Sequence, residues 1–240
     1  MKKTTKVLLV LVLIFALLFG AFYVYAGDYY RADTESISTF ISEGEHDRRE
    51  LSNGLIAYVP EKYTVGVVFY PGGKVEYTAY EPLMCALADR GILAVLVKMP
   101  FNLAVLKQNA ADGVTEQFPE VESWYMAGHS LGGSMAASYV AKNTDKFDGL
   151  IMLAAYSTSD LSESGLKVAS IYGSLDGVMN REKYAEYFPN LPIDTEEAVI
   201  YGANHAGFGM YGEQDGDGTA TISNAEQINL TAQIITDFLK

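Results

Sequence analysis

The hexapeptide Gly128-His129-Ser130-Leu131-Gly132-Gly133 fits the pattern G-x-S-x-G. In that pattern a serine occupies a sharp turn between a strand and a helix. The flanks supply the setting. Trp124-Tyr125-Met126-Ala127 ahead is a short apolar run of strand type, and Ser134 to Ala141 behind is small and helix-compatible. The turn lifts the Ser130 hydroxyl above the sheet edge. Glycines at 128, 132 and 133 remove side chains that would obstruct the turn and the packing of the helix. A serine hydroxyl is a poor nucleophile at neutral pH, so an imidazole must take its proton during attack and return it to the leaving group. A carboxylate must in turn fix the imidazole tautomer and stabilise the imidazolium.

Two downstream residues meet those needs. Asp176 follows the apolar run Val168 to Tyr172 through the Gly-rich turn Gly173-Ser174-Leu175. His205 follows Ala198-Val199-Ile200-Tyr201 through Gly202-Ala203-Asn204. All three candidates therefore sit on loops at the carboxyl ends of strands, where open α/β sheets bind ligands. Asp-Gly is also a common turn pair, and Asp160, after the preceding strand, is the rival acid. Of the other two histidines, His46 lies in a charged stretch ahead of the core, and the side chain of His129, inside the turn, is expected to point away from Ser130.

Attack on an ester also needs two backbone N–H groups to hold the developing oxyanion. Leu131, directly after the nucleophile, supplies one. The other is expected from Pro71-Gly72-Gly73-Lys74, the loop after the strand Val65–Tyr70. Gly73 is the first choice and Lys74 the second. Loss of one such donor costs about 3–4 kcal/mol of transition-state stabilisation.

These segments together resemble the α/β-hydrolase superfamily, whose chain order is Ser, Asp, His. More narrowly, Tyr70 to Val75, Gly128 to Gly133, Tyr172 to Gly177, and the stretch from Gly202 to Ser223 resemble the bacterial alpha/beta hydrolase family 5 group, distant kin of dienelactone hydrolases. In the last stretch, Asn204-His205-Ala206-Gly207-Phe208 and Gly216-Asp217-Gly218-Thr219-Ala220-Thr221-Ile222-Ser223 look distinctive of that group. Many relatives have His-Gly where this chain has Pro71-Gly72-Gly73. The resemblance covers about Leu51 to Lys240. It implies a fold and a reaction class, not a substrate.

The elements that must position these residues read as an α/β fold, a mostly parallel sheet with helices on both faces. Strands are expected near Leu55–Val59 and at Val65–Tyr70, Ile92–Lys98, Trp124–Ala127, Leu150–Ala154, Val168–Tyr172 and Ala198–Tyr201. Helices are expected at Tyr80–Arg90, from Leu103, at Ser134–Ala141 and at Arg181–Phe188. The box Ser223-Asn224-Ala225-Glu226 starts a last helix running to about Leu239. The dozen or so residues between Leu150–Ala154 and Val168–Tyr172 leave no room for a cap domain. The site is therefore expected to be open, lined by the loops near Gly72–Tyr77, Met99–Asn102, Tyr156–Ser159 and Ala206–Tyr211.

The N-terminus is organised differently. Met1 to Lys6 is basic, and Val7 to Ala26 is a run of about 20 residues without a charge, long enough to span a bilayer as a helix. The lysines are expected to stay cytoplasmic, which exports the rest of the chain. The run exceeds the usual signal-peptide core, which favours a retained anchor, and cleavage near Ala26 with secretion is the alternative. Three domains follow: residues 1–26 as anchor or signal, 27–50 as a polar linker, and 51–240 as the catalytic domain. The formal charge is −13. Three lysines and no acids fall in residues 1–26, which leaves −16 on the remainder, a charge that repels nucleic acid. Cys85 is the only cysteine, so no intramolecular disulfide forms; it reads as a small core residue. Glu213 to Gly218 lacks the spacing of a calcium loop and reads as a turn. No cofactor and no metal is needed. The expected partners are the membrane and a small-molecule or lipid-like ester, cleaved as a carboxylic ester or thioester through an acyl-enzyme. Acyl transfer through the same serine and a non-catalytic surface binding module are the alternatives.

Overall fold

The computed structural model describes residues 3–41 and 46–240. Lys2 of the basic flank and residues 42–45 of the expected linker lie outside them. Eight strands form one sheet: β1 (His46–Glu50), β2 (Leu55–Pro60), β3 (Val65–Tyr70), β4 (Leu93–Val97), β5 (Ser123–His129), β6 (Gly149–Leu153), β7 (Lys167–Gly173) and β8 (Glu196–Ile200). Their spatial order is β1-β2-β4-β3-β5-β6-β7-β8. The first two pairings are antiparallel and the rest parallel. This is the α/β-hydrolase arrangement the motifs imply.

Alternate residues of each central strand point to opposite faces, and both faces are apolar. Val67, Phe69, Ala127 and Ile171 pack with helices α3 (Glu81–Ala88) and α6 (Asn224–Phe238). Val68, Tyr70, Met126 and Met152 pack under helix α4 (Leu131–Val140). A sheet buried on both sides accounts for the near-continuous hydrophobic runs of its strands. Ser223 caps α6 by accepting from the Glu226 N–H at 3.1 Å, as the capping box requires. Cys85 is buried in α3, where burial, with Glu81 and Asp89 nearby, pushes its thiol up to about 12. A direct step from β6 to β7 leaves no cap over the carboxyl ends of the strands.

Two expectations need correction. The stretch 27–50 is no free linker. It carries a short helix, α2 (Thr34–Phe40), capped by Asp33 and buried through Ile37, and the edge strand β1. His46 thus lies within the sheet, bonded to Asp89 at 2.9 Å. Strand β1 is His-Asp-Arg-Arg-Glu, so its pairing with β2 comes from backbone bonds and charges, with no apolar alternation to announce it. The helix expected from Leu103 breaks into single 3-10 turns, Ala104–Leu106 and Thr115–Gln117. The buried Tyr70 hydroxyl takes over two backbone groups there, donating to Gln108 O and accepting from Ala111 N. Asn109 bonds Asp112 locally, a habit that competes with helix.

Candidate active site

Ser130 stands at the junction of β5 and α4 with φ 51° and ψ −124°, a conformation that L-residues rarely adopt. Its N–H donates to Leu153 O at 2.9 Å, fixing the turn to the neighbouring strand β6. Glycine is required beside it for clearance. A Cβ on Gly132 would run into the carbonyl oxygens of Tyr70 and Pro71, and one on Gly128 would come within 2.6 Å of the Gly132 backbone.

Strain is concentrated around this turn. Five non-glycine residues among those described have positive φ: Lys74, Phe101, Asn102, Ser130 and Ala154. They follow β3, β4, β5 and β6, the four adjacent central strands, all at their carboxyl ends. Backbone held in sparsely populated conformations marks places where structure serves something other than stability.

His205 and Asp176 meet beside this turn. His205 Nδ1 lies 2.9 Å from Asp176 Oδ2, and both side chains are buried. The other carboxylate oxygen, Oδ1, accepts from the N–H groups of Val178 (2.9 Å) and Met179 (2.8 Å). Burial of Asp176 works to raise its pKa. The His205 hydrogen bond and charge, with the two backbone donors, outweigh it and hold the carboxyl below its ordinary value. An ionised Asp176 accepts a hydrogen bond from Nδ1–H, which leaves His205 Nε2 unprotonated; this atom is buried and has no hydrogen-bond partner among the described residues. The His205 ring packs 4.5 Å from that of His129, the residue before Ser130. Asp160, the rival acid, is exposed and spends its carboxylate on Ser162 N and Oγ.

The loop after β3 discriminates among the oxyanion candidates. Lys74 N donates to Asn102 O at 2.8 Å, so the second choice is occupied. Gly72 N donates to Tyr80 Oη at 3.1 Å. Gly73 N has no such partner among the described residues, and a Cβ on Gly73 would lie 2.8 Å from Leu131 Cδ2. The two residues named as donors are therefore neighbours, and Leu131 N, at the first position of α4, has no intrahelical acceptor.

His129 turns away from Ser130, as expected, and joins a buried network. The Tyr80 hydroxyl accepts from Gly72 N and pairs with His129 Nδ1 at 2.8 Å. Burial keeps the phenol protonated, so it donates its hydrogen bond to Nδ1. Burial, then the neighbouring His205, holds the His129 imidazole well below the usual histidine value, and it is neutral.

Asp217 is the site residue that sequence reasoning passed over as part of a turn. Its Oδ1 accepts from Gly177 N (3.0 Å), His205 N (3.2 Å) and its neighbour Gly218 N (2.8 Å); its Oδ2 accepts from Ala206 N (2.8 Å). One carboxylate thus ties the Asp176 loop to the His205 loop. The buried Gln227 of α6 grips the same loop from behind, bonding both the N–H and the C=O of Asn204. The one sequence signal for Asp217 is an acid between two glycines, whose backbones can fold closely around it.

The comparisons agree with this architecture. Dienelactone hydrolase from Anabaena variabilis superposes with a TM-score of 0.59 at 15% identity, over 81% of this chain and 97% of that one. Est1E from Butyrivibrio proteoclasticus gives 0.58 at 14% identity, over 82% and 98%. TT1662 from Thermus thermophilus gives 0.57 at 15%, over 81% and 96%. At such identities the likeness is one of fold. No curated protein matches the sequence. The profile of the alpha/beta hydrolase family matches residues 66–229, from β3 into α6. With the strained serine turn and the parallel sheet that holds it, that match means that the chain belongs to the alpha/beta hydrolase family.

Proposed function

We propose that this protein is a membrane-anchored serine hydrolase that cleaves carboxylic esters or thioesters outside the cytoplasm. The observation that carries the proposal is the buried Asp176–His205 pair at 2.9 Å, packed through His129 against the strained Ser130 turn. His205 Nε2 takes the Ser130 proton as Oγ attacks the ester carbonyl. The Leu131 and Gly73 N–H groups receive the oxyanion. Return of the proton expels the alcohol or thiol and leaves an acyl-Ser130 enzyme, which water then hydrolyses by the same steps. Asp176 holds the tautomer throughout. No step needs a metal or cofactor.

The anchor reading rests on α1 (Lys3–Gly27), the one helix among the described residues long and apolar enough to cross a membrane. Nearly all of its side chains are exposed, as no soluble core helix would be. Lys3 and Lys6 flank one end and Asp28 and Asp33 follow the other, which sets the lysines inside and the catalytic domain outside. Ester turnover tests the chemistry. Ser130→Ala is expected to lower it by several orders of magnitude at unchanged melting temperature. Undiminished turnover overturns the assignment.

A further inference from the structure

The last turn of α1 docks on the rim of the site. Phe22 meets Phe101 edge to face with ring centroids 5.3 Å apart. Lys74 Nζ lies 4.6 Å from the centre of the Tyr25 ring and 3.2 Å from Asp28 Oδ2. Ala26 is buried. Four residues on, Tyr30 runs beside Val75: Tyr30 N donates to Lys74 O, and Glu76 N to Tyr30 O. The loop holding Gly73 is therefore fastened to the end of the apolar helix with no slack between them.

Depth follows from helix geometry. The uncharged run Val7–Ala26 rises about 30 Å at roughly 1.5 Å per residue, the thickness of a bilayer core. Phe22 lies four residues before its end, about 6 Å inside the apolar boundary on that scale. Its ring partner Phe101 must lie at a similar level. Phe101 opens a loop with an apolar exposed surface: Phe101, Val105 and Leu106 are each 49% exposed. Phe101 and Asn102 hold φ 52° and 55°, a costly conformation for a bulky aromatic residue, and Asn102 O accepts from Lys74 N of the oxyanion loop. Exposed apolar groups gathered at an interface gain from burial in the headgroup and acyl boundary.

We propose that the loop 99–106 is an interfacial wedge seated in the outer leaflet beside α1, and that the Ser130 site takes acyl esters directly from the bilayer. The proposal rests on α1 being retained as an anchor. The occupant of the patch is the lipid surface because the patch continues the face of the apolar helix itself. The −16 charge outside the anchor argues for a neutral or zwitterionic surface over an anionic one.

The test uses the full chain with Cys85→Ala, reconstituted in phosphatidylcholine vesicles. A nitrobenzoxadiazole fluorophore is placed at Phe101→Cys, Leu106→Cys or Ile193→Cys. Ile193 is fully exposed but precedes β8, at the opposite rim of the sheet. Lipids bearing an acyl-chain nitroxide are expected to quench the probes at 101 and 106 several-fold and to spare the one at 193. Equal quenching at all three positions, or none at 101 and 106, overturns the wedge. A second arm uses Val105→Gln with Leu106→Gln. Turnover of a long-chain ester dispersed in the same vesicles is expected to fall at least tenfold, with turnover of a water-soluble acetyl ester unchanged. An equal effect on both esters, or none, overturns entry from the bilayer. Failure of the chain to float with the vesicles overturns the anchor reading and the wedge with it. Turnover that survives Ser130→Ala overturns the serine chemistry, while the quenching pattern still decides the wedge.

Discussion

Three of the catalytic assignments reduce to where one proton sits. Asp176 accepts the Nδ1–H of His205, which leaves Nε2 as the unprotonated ring nitrogen, buried and without a hydrogen-bond partner among the described residues. Asp176→Asn presents an amide that favours the wrong tautomer. It is expected to lower ester turnover by on the order of 10⁴ with the fold intact. Asp160→Asn, exposed and bonded to Ser162, is expected to leave turnover unchanged. Steady-state kinetics on both variants checks the pair, and the reverse pattern moves the acid to Asp160. Asp217 bonds the backbone of the loops that carry Asp176 and His205. Asp217→Ala strips four N–H groups of their acceptor. Hydrogen bonds to a charged group are worth about 1.5–3 kcal/mol when buried, less at this half-exposed site. Turnover is expected to fall about tenfold or more, by way of a loosened His205 loop. Unchanged kinetics would leave Asp217 as a turn residue only. Ser130, Asp176 and His205 were readable as candidates because the chemistry proposed for them fixes both residue type and chain order. Asp217 was not, because a carboxylate that binds backbone leaves no partner pattern in the sequence.

At the scale of elements, apolar runs announced the central strands well. Strand β3 is the Val65–Tyr70 expected, and α6 begins at the capping box. Strand β1 and helix α2 were illegible because charge pairing and one buried isoleucine hold them, not hydrophobic periodicity. The turns at 104–117 were misread because the Tyr70 hydroxyl, far away in sequence, outcompetes a helical pattern. Between elements, the neutral His129 joins the loops after β3 and β5 through Tyr80. Its pKa is lowered on folding, so the unfolded chain binds a proton that the native chain refuses. Stability from this group is complete above the ordinary histidine value of 6.5 and falls as pH drops below it. The slope contributed is about 1.4 kcal/mol per pH unit. His129→Gln is expected to flatten the decline of melting temperature between about pH 6.5 and 5, whatever its effect at pH 7.5. An unaltered slope would show that His129 is not the group responsible.

At the scale of the molecule, two parts sort their apolar residues differently. The sheet domain buries its apolar residues, and α1 displays them. The sequence separated these parts at Ala26, but it placed a polar spacer where the structure has docked backbone. The reason is physical: Tyr30, Ile37 and β1 attach through a few buried contacts and edge bonds, none of which stands out in composition. A retained anchor predicts that protein purified from membranes begins at its initiator end, by N-terminal mass spectrometry. A mature chain beginning at Gly27 and recovered from the medium would make the helix a signal peptide and leave the hydrolase chemistry untouched. Ser130 is the proposed nucleophile that becomes acylated, and a fluorophosphonate phosphonylates the same oxygen. The direct measurement is intact-protein and peptide mass spectrometry after reaction with a fluorophosphonate. One adduct is expected, on the peptide containing Ser130, absent in Ser130→Ala and slowed strongly in His205→Ala. An adduct that persists in Ser130→Ala, or no adduct on the native protein, would contradict it.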